Sequence, residues 1–171
     1  SQAIPSGLEQ GINYNTTDTS KATLVLEAPF KDFVYVVGSF NNWTLSPQYA
    51  MKKNPNSDLF WLELNGLTSG QVETYQYWVF EQENNSPSPK LVKVADPYST
   101  LVLSPYDDPY IPAETYANIP AYPQNQEREV TVLQTGLSQY NWQVTNFEKP
   151  AKEDLVIYEL LIRDFDANRN F

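Results

Sequence analysis

Short runs in which apolar and polar residues alternate constrain this chain most strongly. In residues 59–64 (LFWLEL), Phe60, Leu62 and Leu64 fall on one side of an extended backbone, and residues 72–80 (VETYQYWVF) alternate in the same way. A period of two is typical of a half-buried β-strand. Turn pairs such as Asn65-Gly66 separate the runs. The other candidate strands are residues 22–27, 33–37, 91–94, 100–103 and 129–133.

These strands, without a useful helical pattern in residues 1–150, predict an antiparallel β-sandwich of immunoglobulin-like type. We therefore predict an all-β chain in four parts. They are an extended arm (1–20), the sandwich (21–103), a connector with one short strand pair (104–153) and a final strand (154–171). Prolines in the connector exclude a central strand or helix interior, and its tyrosines favour an ordered path along a surface.

The final strand has a different pattern from the others. Residues 155–162 are apolar one after another, interrupted only by Glu159. An unbroken Val/Ile/Leu run is typical of a strand covered on both faces, as in a parallel sheet. A parallel neighbour requires a crossover of a dozen or more residues, and the sequence ends six residues after Phe165. We therefore expect this sequence to be the front part of something larger.

Composition excludes several classes of function. The formal net charge is −10, from 21 acidic and 11 basic residues. This balance disfavours nucleic acids and anionic membrane surfaces as partners. No apolar run approaches 18 residues, so we expect no membrane span. The absence of Cys and His excludes disulfides, thiol catalysis, Cys/His zinc sites and His-based catalysis, and we expect no cofactor and no metal site.

Two groups of motifs carry a resemblance to known families. Residues 34–43 (VYVVGSFNNW), 74–79 (TYQYWV) and 95–99 (ADPYS) together resemble the family 48 carbohydrate-binding module. That module is the early-set immunoglobulin-like domain of branching enzymes, debranching enzymes and glycogen-sensing kinase subunits. Residues 155–165 (LVIYELLIRDF) are similar to the first strand of the (β/α)8 barrel of glycoside hydrolase family 13, the α-amylase family.

The order of these motifs implies the N-terminal accessory region of an α-glucan-processing glycoside hydrolase, with an orphan strand from a truncated barrel. The catalytic carboxylates of that family stand on later strands, so the resemblance implies no catalytic residue here and gives Glu159 and Asp164 no catalytic role. The expected partners are the catalytic barrel of the same parent protein, α-glucan as a weak ligand, and a second copy through residues 155–162. A secreted or periplasmic location is favoured over a cytoplasmic one.

The resemblance also implies a carbohydrate-binding site. Trp43 ends the Phe-Asn-Asn-Trp motif and would stack on a glucose ring, or it could pack beside Phe40 to close a loop. Gln76 replaces a Lys of the sugar-binding members, and Lys93 stands where those members have a second Trp. Trp78 could extend the platform or pack against the connector or a neighbouring domain.

Two other functions remain open from the sequence: a free-standing α-glucan-binding module and a structural β-domain that binds another protein. A calcium site is a further possibility, because hard cations take several oxygen ligands and three aspartates occur close in sequence. They are Asp96, Asp107 and Asp108. Asp107-Asp108-Pro109 lacks a spaced ladder of ligands, so we favour a solvated turn.

Overall fold

A computed structural model describes residues 1–82, 88–138 and 140–161 of the chain. These residues form β-strands and single-turn 3-10 helices, and no α-helix occurs among them. The prediction of an all-β chain is confirmed. The strands are β1 (Gly11–Tyr14), β2 (Ala22–Glu27), β3 (Phe33–Gly38), β4 (Lys52–Lys53), β5 (Leu59–Leu64), β6 (Glu73–Glu81), β7 (Lys90–Val94), β8 (Val102–Leu103) and β9 (Val130–Leu133).

The strands form two antiparallel sheets. The first sheet has the order β1-β2-β5-β4. The second has the order β3-β6-β9-β8, and β7 also pairs with β6. The long strand β6 organises the second sheet, because β3 lies along one edge while β9 and β7 share the other. Two antiparallel sheets packed over one core are the predicted sandwich.

The core follows the alternation seen in the sequence. Tyr75, Tyr77 and Val79 of β6 point inward, and their buried side chains join those of Phe60 and Leu62 from β5. Burying a side chain of this kind contributes about 1.5–3 kcal/mol relative to leaving it exposed. The remaining core members include Leu24, Leu26, Val34, Val36 and Leu64.

Two strands lie outside the predicted sandwich boundaries. β1 falls within the predicted arm, yet it pairs in full register with β2, with Ile12 opposite Leu24. β9 falls within the predicted connector, yet it lies between β6 and β8 in the second sheet. Both strands are four residues long. Short strands carry too little alternation for a sequence pattern to assign them to a sheet.

The connector runs along the second sheet. Ile119 and Tyr122 pack against buried Leu103, Val130 and Val132, which with Trp43 and Leu101 form what we call the outer cluster. The Tyr122 hydroxyl donates to the Arg128 carbonyl over 2.5 Å. Of the tyrosines in residues 104–124, Tyr122 packs on the sheet in this way, whereas Tyr106, Tyr110 and Tyr116 are exposed.

The terminal apolar run differs from its prediction. Residues 155–161 form no strand, and Ile162 and Asp164 lie outside the described residues. Val156 is 97% exposed and Ile157 is 84% exposed. A strand needs a hydrogen-bonding neighbour, and none of the described segments pairs with this one. Over the described residues, no helix is long and apolar enough to cross a membrane.

Candidate functional site

Three of the four predicted sugar-binding residues lie together on the outer face of the second sheet. Along β6, Gln76 and Trp78 point away from the core, on the side opposite Tyr75 and Tyr77. Lys93 of β7 is the register partner of Trp78. The alternation in the sequence therefore predicted the shared face of Gln76 and Trp78, but it predicted neither the position of Lys93 opposite Trp78 nor what covers the group.

Gln76 is wholly buried beneath the connector. Its side-chain Nε2 donates to the Glu127 carbonyl over 2.7 Å and to the Glu129 carbonyl over 2.9 Å. An amide nitrogen has two hydrogens to donate, and both are used here. The exposed fraction of Gln76 is 0%. A ligand can reach this side chain only if residues 127–129 leave the sheet.

Lys93 covers the ring of Trp78. The Lys93 Nζ lies 4.4 Å from the centre of the indole ring, a cation–π distance, and 2.8 Å from Glu127 Oε1. The hydrogen bond and the positive charge of Lys93 lower the pKa of the Glu127 carboxyl. The Trp78 Nε1 also donates to Gln76 Oε1 over 3.4 Å. A sugar ring could stack on this indole face only after displacing the ammonium group.

Trp43 packs on the same sheet but with different neighbours. It belongs to the outer cluster, whereas Phe40 packs against the main core. Asn42 and Trp43 both have left-handed backbone, with φ of 52° and 54°, and the Trp43 amide donates to the Gly38 carbonyl over 2.9 Å. Positive φ is uncommon for a bulky residue, and here two successive residues with positive φ form a tight turn. It brings the indole onto the outer cluster beside Ile119 and Tyr122.

Asp96 has a role that sequence reasoning missed. Its Oδ2 accepts hydrogen bonds from the Tyr75 hydroxyl over 2.7 Å and the Tyr77 hydroxyl over 2.8 Å. Its Oδ1 accepts from the Tyr98 amide, and its own amide donates to Thr131 Oγ1. The residue is 3% exposed. The Asp96 side chain is therefore a buried polar joint between β6 and the segment that follows β7. Among the described residues, no group of three or more acidic side chains could hold a metal.

The tyrosines of this joint have strongly perturbed acidity. The pKa of Tyr77 is raised well above 10.0, mainly by burial of the hydroxyl, and the negative charge of Asp96 raises it further. Burial likewise raises the pKa of Tyr75, with contributions from Tyr77 and Asp96. Both hydroxyls therefore remain protonated donors, as the carboxylate requires. The Tyr-x-Tyr spacing, which puts two hydroxyls on one strand face, was the signal available in the sequence.

Part of the outer face remains accessible next to Trp78. The rings of Phe33 and Phe80 are 5.3 Å apart, and the ring of Tyr35 meets Phe80 edge-on at 5.8 Å. Tyr35 is also the register partner of Trp78. None of these three rings was among the predicted site residues. Together they continue an aromatic surface beyond the area that the connector covers.

Comparison with known proteins gives only distant structural similarity. No protein-family model matches the chain, and no curated protein matches it. Among solved structures, three of pullulanase from Klebsiella pneumoniae are similar: one complexed with maltotriose, one ligand-free and one apo. Each gives a TM-score of 0.42, with sequence identities of 20%, 21% and 21%.

The similarity covers a limited part of each molecule. It spans 57% of this chain and 9%, 9% and 10% of the three pullulanase chains. With about one residue in five identical and a TM-score of 0.42, it does not identify the function of this chain.

Proposed function

We propose that this chain is a non-catalytic accessory region of an α-glucan-processing glycoside hydrolase, and that its main role is to pack against the catalytic barrel. The motifs at residues 34–43, 74–79, 95–99 and 155–165 support the family assignment. The observation that carries the accessory role is the burial of Gln76 under the connector. Residues that would bind glucan in the related module are used here to hold the chain together.

Exposed apolar side chains supply the surface for the barrel. Tyr140 and Trp142 stack edge-on with ring centres 4.9 Å apart, and both are more than two-thirds exposed. Val144 and Phe147 border the same open surface, a shallow groove of about 560 Å³. Residues 155–161 add a second exposed apolar stretch. Contiguous exposed apolar surface of this kind marks an interaction site.

This chain carries no catalysis under the proposal. A retaining glycosidase needs two carboxyl groups about 5–5.5 Å apart on either side of the scissile bond. The resemblance assigns such groups to later barrel strands, and the exposed Glu159 is not one of them. The purified chain should therefore release no reducing sugar from starch.

Calorimetric titration with β-cyclodextrin and maltoheptaose tests whether the chain is an accessory region or a glucan-binding module. We expect no binding tighter than a Kd of about 1 mM, because the Trp78 ring is covered and Gln76 is buried. Micromolar binding that disappears in Trp43→Ala would instead establish a free-standing glucan-binding module. The matched control is Trp142→Ala, which removes an exposed indole outside the sheet.

A second measurement separates the barrel-packing role from that of a general protein-interaction domain. In the parent enzyme that the proposal requires, amide exchange through residues 155–161 should be at least tenfold slower than in the isolated chain, because a paired strand protects its amides. Equal exchange rates in the two would contradict packing on a barrel.

A further inference from the structure

The bend that follows β5 contains the one Asn-Gly pair in the sequence, Asn65-Gly66. Both residues are exposed, and Gly66 has left-handed backbone with φ of 77°. Within the described part of the chain, no heavy atom outside the adjacent residues lies within 4 Å of the place where a Cβ of Gly66 would stand. The backbone nitrogen of Gly66 is therefore sterically unhindered, because glycine has no side chain to shield it.

The backbone amide of Gly66 and the side-chain amide of Asn65 are both weakly held. The Gly66 amide forms no hydrogen bond with the residues that the structure describes. The Asn65 Nδ2 donates to the Glu63 carbonyl at 3.4 Å, which is longer than the usual range of about 2.7–3.2 Å. The amide carbon of Asn65 is thus open to attack by the next backbone nitrogen.

Asparagines elsewhere in the chain lack this combination. Asn42 is followed by a bulky residue, Trp43, whose amide already donates to the Gly38 carbonyl over 2.9 Å. Asn54 is followed by a proline, which has no N–H group. The bend after β5 therefore brings together an exposed asparagine and a free, unhindered amide, which neither of these sites does.

We propose that Asn65 is a site of spontaneous deamidation and isoaspartate formation. The Gly66 nitrogen loses its proton to hydroxide and forms a bond to Asn65 Cγ, while the Cγ–Nδ2 bond breaks and ammonia leaves after taking up a proton from water. Water then opens the resulting succinimide ring, at Cγ to give aspartate or at the main-chain carbonyl to give isoaspartate. The net reaction consumes one water and releases one ammonia. The inference goes beyond the accessory role proposed above and does not depend on it.

Isoaspartate formation lengthens the main chain, because it adds a methylene group between residues 65 and 66. The neighbouring residues are anchored: Leu64 and Leu67 are buried in the main core, and the Leu67 amide donates to the Ser20 carbonyl over 2.9 Å. The longer main chain cannot leave both leucines in place without distorting the bend. We therefore expect the modification to loosen this end of the sandwich.

Both products also bring a new carboxylate into a pocket that already holds a buried one. Asn65 and Glu73 line the same pocket of about 260 Å³, and Glu73 is 6% exposed. Neither lysine nor arginine is among the described residues that line it. Two carboxylates that share a site repel each other. The modification therefore destabilises this end of the sandwich through charge as well as through chain length.

Incubation of the purified full chain at neutral to mildly alkaline pH, followed by peptide mass spectrometry, tests the site. The peptide that contains Asn65 should gain the mass difference between an amide and a carboxyl group, at a rate proportional to hydroxide concentration, and should separate into aspartate and isoaspartate forms. In the folded chain, Asn65 should react at least about tenfold faster than any other described asparagine, because a glycine follows it. Asn65→Gln keeps an exposed amide but requires a larger ring, so it should abolish the reaction.

Urea denaturation tests the consequence for stability. Anion exchange separates the modified chain, which carries extra negative charge, and its denaturation midpoint should be lower than that of the unmodified chain. Asn65→Asp supplies the charge without the extra methylene, so its midpoint should fall less than that of the isoaspartate form. Adding Glu73→Gln to Asn65→Asp should restore part of the fall, because it removes the opposing carboxylate, while the same change at the exposed Glu114 should restore none.

Three results would overturn the proposal. The first is an Asn65 that stays unmodified in the folded chain, whether or not it reacts in urea. The second is another described asparagine that reacts as fast as Asn65 in the folded chain. The third is a modified chain that unfolds at the same urea concentration as the unmodified chain, since the bend would then tolerate both the added charge and the added length.

Discussion

The sandwich and residues 155–161 are both rich in valine, leucine and isoleucine, yet their environments are opposite. Val36 in β3 is 0% exposed, whereas Val156 is 97% exposed. The difference is that β3 pairs with β6 through six residues, while residues 155–161 pair with none of the described strands. Apolar composition alone therefore does not bury a segment. The segment must also form backbone hydrogen bonds with a neighbouring strand.

Replacing Asp96 should produce the largest loss of stability in the sandwich. Asp96→Ala leaves the Tyr75 and Tyr77 hydroxyls buried without their acceptor, and we expect the free energy of unfolding to fall by about 3–5 kcal/mol. Urea denaturation measures the change. The control in the exposed segment is Glu159→Ala, which should change stability by less than about 0.5 kcal/mol. Equal effects of the two substitutions would show that the buried joint is not stabilising.

The same substitution at two valines compares the two regions directly. Val36→Ala should lower the free energy of unfolding by about 2–3 kcal/mol, because it opens a gap in the core, while Val156→Ala should leave it unchanged. Urea denaturation of both variants at matched concentrations makes the comparison.

If residues 155–162 instead pair with a second copy, Val156→Ala will weaken self-association in sedimentation velocity. A monodisperse monomer with rapid amide exchange through these residues would contradict such pairing.

The ionisation of a single buried tyrosine gives the smallest of the expected effects on stability. The pKa values of Tyr75 and Tyr77 are raised above 10.0 in the folded chain, so their contribution to stability is complete below pH 10 and is lost as pH rises above it. Each tyrosine should lower the free energy of unfolding by about 1.4 kcal/mol per pH unit once the pH is above 10.

Tyr77→Phe should remove the contribution of one tyrosine to this fall in the free energy of unfolding with pH. Tyr158→Phe, in the exposed segment, should leave the fall unaltered. Urea denaturation between pH 9 and pH 11 measures both. If the free energy of unfolding of Tyr77→Phe fell with pH as steeply as that of the unsubstituted chain, Tyr77 would not have a raised pKa in the folded chain.

Sequence patterns predicted the parts of this molecule that depend on local alternation. The inward side of β6, with Tyr75 and Tyr77, and the outward side, with Gln76 and Trp78, both follow from a period of two. The pattern did not show that β9 joins the second sheet. It also did not show that β1 joins the first sheet, because four residues such as Gly11–Tyr14 contain hardly two periods.

By itself, the sequence determined that the chain is an all-β sandwich, since its strand periodicity and turn chemistry act over a few neighbouring residues. Only the tertiary structure decided what each side chain contacts. Gln76 was predicted as a ligand-binding residue and is held by two connector carbonyls 51 and 53 positions away. Asp96 was considered as a calcium ligand with Asp107 and Asp108, and its buried carboxylate accepts hydrogen bonds from two tyrosine hydroxyls. Contacts between residues so distant in sequence depend on the path of the connector and the packing of the two sheets, which no local pattern records.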